Sequence, residues 1–159
     1  MEIRVIEKEA FQVVGIAWNG TYSELGKLSQ LFTEMEFRAD EVLYPTGEQV
    51  LINPFHCRET ELTYYVTIPV EKIIDVPEGM VGFTVPKKSY VFGTHRGLPE
   101  EVEKTYIQMF KWMEEYGYEQ DHHALSLEIY TLGKRNIHQR DETIQFDIYL
   151  PVKRYREEN

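Results

Sequence analysis

Glu128, Tyr130, Asp147 and Tyr149 are the residues of this chain whose types and spacing best suit chemistry, and they lie on two short stretches of alternating polarity. In Ala124–Tyr130, the apolar Leu125, Leu127 and Ile129 alternate with Ser126, Glu128 and Tyr130. In Thr143–Leu150, Ile144, Phe146, Ile148 and Leu150 alternate with Gln145, Asp147 and Tyr149. Successive side chains of a strand point to opposite faces. Pairing the two strands therefore predicts that the apolar sets lie under helices, and that Glu128, Tyr130, Asp147 and Tyr149 share the other surface. Two carboxylates among phenol rings would attract an aromatic or alkyl cation, through Coulomb attraction and cation–π contacts. The plainer alternative is a solvated polar face on half-buried strands. The pattern alone leaves both open.

Other constellations carry less. His56-Cys57 and His122-His123 can bind metals in principle, but neither has the ligand spacing of a zinc site, so no metal and no cofactor is predicted. His95-Arg96-Gly97 precedes a helix, where an anion could bind; a turn is the plainer explanation. Cys57 with some distant His could make a nucleophilic pair, though nothing local in the sequence supports that chemistry. Phosphate-cradling glycine motifs are absent.

The elements that must position these groups are written twice. Thr67-Ile68-Pro69-Val70 returns as Tyr149-Leu150-Pro151-Val152, an offset of 82; Gly15 and Gly93 are 78 apart, Gly20 and Gly97 are 77 apart. The first copy reads as a strand from Ile3, a strand over Phe11–Trp18 and a capping box at Thr21–Glu24. A helix striped by Leu25, Leu28, Leu31, Phe32 and Met35 follows, then strands over Gln49–His56 and Leu62–Val70. The second copy has strands over Met80–Val85 and Ser89–His95, with Pro99 in the first helical turn. Val102, Tyr106, Met109, Phe110 and Met113 stripe its helix, Gly117 caps it, and the two alternating strands follow. The loop Gly133–Glu142 and the tail Lys153–Asn159 read as polar connection and frayed end. Each half is ββαββ, about residues 1–75 and 76–159. The predicted fold class is α+β: duplicated halves with pseudo-two-fold symmetry, an antiparallel sheet with helices on one face, and a ligand groove on the other.

At 159 residues the chain predicts a single domain. Its net charge of -10 disfavours nucleic acid and anionic membranes as partners. The lone Cys57 fits a reducing cytoplasm, and no apolar run reaches the length of a membrane span.

Gly97, the helix containing Lys104-Thr105-Tyr106 and Lys111-Trp112-Met113, Leu127-Glu128-Ile129-Tyr130, and Asp147-Ile148-Tyr149-Leu150-Pro151-Val152 together resemble the GyrI-like small-molecule-binding family. These are effector-binding domains of AraC-type and multidrug-sensing transcription activators. The resemblance spans nearly the whole chain, internal repeat included. It implies a glutamate, here Glu128, at the base of a hydrophobic, aromatic cleft that takes cationic, lipophilic ligands. Tyr130 and Tyr149 follow as cleft walls by the alternation, with Asp147 beside them; Trp18, Tyr90 and Tyr65 are further candidates. Regulators of this kind carry a helix-turn-helix domain before the effector-binding part, and no residues here are expected to read DNA. The resemblance also implies two other readings: a hydrolase of reactive lipophilic molecules with Glu128 as general base, or a protein-binding inhibitor of a topoisomerase.

Overall fold

The computed structural model describes residues 1–131 and 143–153. The predicted loop Gly133–Glu142 and most of the predicted tail lie outside them. Among the described residues there are nine strands and two α-helices: β1 Arg4–Lys8, β2 Phe11–Thr21, α1 Leu28–Arg38, β3 Val50–Cys57, β4 Glu61–Val70, β5 Val81–Val85, β6 Lys88–Gly97, α2 Val102–Tyr116, β7 Glu119–Gln120, β8 Ser126–Thr131 and β9 Ile144–Lys153. The protein is α+β, and the strand pairings are antiparallel.

The chain forms two compact units, Ala10–Pro86 and a second built from Met1–Glu9 with Lys87–Asn159. Their boundary is not the midpoint of the chain, because the first strand of each copy pairs with the other copy. β1 runs beside β6, with Val5 opposite Val91, and β5 runs beside β2, with Val13 opposite Phe83. Within the Ala10–Pro86 unit the strand order is β3-β4-β2-β5; in the other it is β1-β6-β9-β8, with the short β7 on β9.

Both helices begin as the capping pattern requires. Glu24 Oε1 accepts the Thr21 backbone N–H at 2.9 Å, and Glu101 Oε1 accepts that of Leu98 at 3.0 Å. Each carboxylate satisfies a donor that the helix start leaves free. The first turn is a 3-10 segment in both cases, Tyr22–Lys27 and Pro99–Glu101, so the α-helices start later than the capping residues. Gly117 ends α2 in the left-handed conformation, at φ 80°, where the absence of a Cβ removes the steric cost.

The apolar stripes are narrower than the spacing predicts. Leu31, Phe32 and Met35 are buried in α1, and Met109 and Met113 in α2. Leu25 and Phe110, expected in the stripes, are exposed.

At Gly15 the repeat register differs from the sequence match by one residue, whereas the Gly20–Gly97 match keeps it. Pro69 of β4 faces Val13 of β2, while Pro151 of β9 faces Tyr90 of β6. Val13 and Tyr90 are therefore equivalent, and Gly15 corresponds to Phe92 rather than to Gly93. A one-residue shift in a strand exchanges faces. Gly93 accordingly lies under α2, where a Cβ would stand 3.1 Å from Met109 Sδ. Gly15 lies against β4, where a Cβ would come within 2.1 Å of the Val66 carbonyl oxygen.

Candidate functional site

The register of β8 on β9 decides which side chains share a surface. Glu128 is opposite Ile148, Leu127 opposite Tyr149, and Ile129 opposite Asp147. Directly opposed residues of an antiparallel pair project to the same side. Glu128 and Tyr130 therefore stand with Phe146 and Ile148, whereas Asp147 and Tyr149 stand on the other face with Leu127 and Ile129. The expectation that the two carboxylates and two phenols share one surface is corrected here.

Tyr106, on α2, donates its hydroxyl to Glu128 Oε2, so Glu128 is on the helix face and not opposite it. The apolar appearance of Leu127 and Ile129 misled the assignment because both faces of this sheet bury side chains: Leu127 and Tyr149 are as well covered as Phe146 and Ile148.

On the helix face, Glu128 is half-buried, bonded to Tyr106 and opposite Ile148. Tyr130 is stacked on Phe146, with ring centroids 4.6 Å apart and planes at 22°. Phe146 also lies 5.5 Å from the His95 ring. His95 is buried, and its two ring nitrogens are 2.7 Å from Thr105 Oγ1 and 3.0 Å from the Leu98 carbonyl oxygen. The carbonyl can only accept, so Nε2 carries a proton, and in the neutral ring Nδ1 accepts from Thr105. That arrangement ties β6 to the start of α2 and uses His95 structurally, not as an anion contact. Arg96 is likewise engaged, its Nε donating to Gln145 Oε1 at 3.0 Å.

The opposite face of the same unit is a second aromatic group. Tyr90 and Tyr149 meet edge to face at 5.7 Å, and Phe92 lies 5.1 Å from Tyr149. Burial pushes the Tyr149 phenol up to about 12, with the charge of Asp147 adding to it, and pushes Tyr90 up to about 12, with Tyr149 adding. Asp147 Oδ1 accepts the Thr94 hydroxyl at 2.8 Å. The chain supplies its own cations to these rings: Lys8 Nζ is 5.2 Å from the Tyr149 ring and the Arg4 guanidinium 4.7 Å from that of Phe92.

Trp18 and Tyr65 belong to the Ala10–Pro86 unit. Trp18 is opposite Tyr64 on the α1 side, where Tyr64 also meets Phe32, and Tyr65 is on the other side against Phe83 at 4.8 Å. The two do not share a face. Tyr106, which the sequence placed in a helix stripe and in the family pattern, was not among the expected site residues; its level on α2, one turn before Met109 and Phe110, was the available signal. No group of three His, Cys, Asp or Glu side chains placed to hold a metal occurs among the described residues. Nor is any described helix long and apolar enough to cross a membrane.

Residues 1–153 match the family model of the GyrI-like small molecule binding domain. The chain belongs to this family. It is 28% identical over 160 residues to the transcriptional regulator BrlR of Pseudomonas aeruginosa, covering 96% of this chain but only 56% of that regulator. Among solved structures, SAV2435 bound to tetraphenylphosphonium superposes with a TM-score of 0.72 at 17% identity, over 96% of this chain and 94% of that one. The EcmrR C-terminal domain gives 0.72 at 18% identity, over 96% and 97%. At such identities these structures establish the shared fold. The chain is thus a small-molecule-binding domain related to transcription regulators.

Proposed function

We propose that this domain takes hydrophobic, cationic small molecules on the helix face of the unit that contains α2, with Glu128 as the counter-charge. The observation that carries the reading is the half-buried Glu128 carboxylate, held by the Tyr106 hydroxyl beside the Tyr130–Phe146 stack. A carboxylate in such surroundings attracts a cation strongly because little water screens it. Flat rings beside it offer the cation's hydrocarbon a dry, polarisable surface. SAV2435, of the same fold, is bound to a lipophilic cation, which supports the same ligand class here. Tyr90, Tyr149 and Asp147 then act on the far face as packing rather than as ligand walls. The relation to BrlR and to the EcmrR C-terminal domain supports an effector-sensing role in transcription regulation.

Titration of tetraphenylphosphonium by calorimetry tests the reading. Wild type binds, and Glu128→Gln, which keeps the shape and removes the charge, binds about tenfold or more weakly. Equal affinities refute the counter-charge role. The same carboxylate–phenol pair has the parts of a general base and a proton donor, which keeps hydrolysis of an electrophilic lipophile as a second reading. Release of a chromophoric leaving group that stops with Glu128→Gln would favour it over binding alone.

A further inference from the structure

Asn53 is wholly buried, and neither its Nδ2 nor its Oδ1 has a hydrogen-bond partner. Among the described residues no other side chain has two polar atoms stranded in this way; Gln12, only half-buried, has one. Thr67, equally buried, donates to the Ile52 carbonyl at 2.6 Å. A buried amide without partners carries a desolvation penalty that an apolar residue of the same size would avoid.

The repeat gives this residue a meaning. In the Ala10–Pro86 unit Ile52 is opposite Thr67, and in the other unit Leu127 is opposite Tyr149. Thr67 and Tyr149 open the repeated Thr-Ile-Pro-Val and Tyr-Leu-Pro-Val segments, so Asn53 is the equivalent of Glu128. The rings beside them correspond as well: Phe55 stacks on Tyr64 at 5.7 Å and 21°, as Tyr130 does on Phe146. One feature differs. Helix α1 has no tyrosine, so nothing plays the part of Tyr106.

We propose that Asn53 is a ligand-binding residue for the neutral polar edge of a small molecule, one that presents an acceptor and a donor side by side. A primary carboxamide or a lactam has that edge, and an asparagine amide with both atoms free matches it with two hydrogen bonds. The proposal rests on the reading of the helix faces as binding surfaces, and not on the charge of the ligand.

Benzamide, an aromatic ring with a primary carboxamide, is the probe. It is titrated into the 15N-labelled chain and into Asn53→Leu, which is close in size and apolar. The side-chain NH2 resonances of Asn53 are expected to shift saturably in the wild type. Asn53→Leu is expected to weaken benzamide about tenfold or more, to raise Tm by removing the stranded amide, and to leave tetraphenylphosphonium affinity unchanged. Unshifted Asn53 resonances, or equal benzamide affinity in the two proteins, overturn the proposal. A fall in Tm with equal affinity does so too, and marks Asn53 as a structural residue joined to a buried water. The wild-type NMR shift serves even where the variant folds poorly. Benzamide binding through Asn53 without tetraphenylphosphonium binding supports this proposal and refutes the cationic reading; the reverse pattern overturns this proposal alone.

Discussion

The helix faces of the two units are built to one plan and differ where it matters for ligands. Phe55 on Tyr64 and Tyr130 on Phe146 are the same stack in the same register. Val66 and Ile148 lie opposite Asn53 and Glu128 alike. Between these matched apolar parts, one unit holds a carboxylate bonded to a phenol and the other an amide bonded to nothing. A duplicated sheet can keep its packing while its polar positions diverge, because packing depends on volume and a ligand contact depends on charge and donors. The far faces diverge further: Tyr90 and Tyr149 occupy the positions of Val13 and Thr67.

The comparison breaks most visibly in the core. Phe146→Ala and Tyr64→Ala each remove one ring of equivalent stacks, and each is expected to cost about 3–5 kcal/mol in urea denaturation. A loss confined to one of them would end the equivalence. The glycines sharpen the register. Gly15→Ala drives a Cβ into the β4 backbone and is expected to cost roughly 1–3 kcal/mol, more than Gly93→Ala, which meets the mobile end of Met109. Equal costs, measured the same way, would restore the one-residue-shifted match of the repeats.

Alkaline titration reads the far face of the unit that contains α2. Tyr90 and Tyr149 ionise at about 12 in the folded protein, above the ordinary tyrosine value near 10. A raised folded pKa contributes stability that is complete below the unfolded value and lost as pH rises through the folded one. Stability is therefore expected to fall between about pH 10 and 12, with Tyr90→Phe and Tyr149→Phe flattening that fall in urea midpoints. The smallest effect is that of Lys8→Met, which removes an ammonium from above Tyr149 and is expected to cost about 0.5–1 kcal/mol in thermal unfolding. A larger cost would give that cation a role beyond its ring contact.

Much of this was legible in the chain. The capping box at Thr21, the cap at Gly117 and the terminal strands follow from short-range chemistry that needs no partner strand. Glu128 was singled out by the strand alternation and then by the family pattern around Leu127-Glu128-Ile129-Tyr130. Tyr106 was not, since its role depends on a side chain 22 residues further along, on another element. Asn53 was missed because fewer residues separate β3 from β4 than separate β8 from β9 in the sequence, so a fixed offset along the sequence does not connect it with Glu128.

The amino-acid order by itself determined the strands other than β7, the helices, the repeat, and which side chains alternate together within each strand. All of these depend on neighbours a few residues apart. It did not determine which set of each strand turns toward a helix, or which strand of one copy pairs with which of the other. Those depend on register between distant segments, and a slip of one residue exchanges every side chain between faces. With both faces of the sheet buried, hydrophobicity could not choose between them, and only the assembled strands placed Glu128 under α2 and Tyr149 away from it.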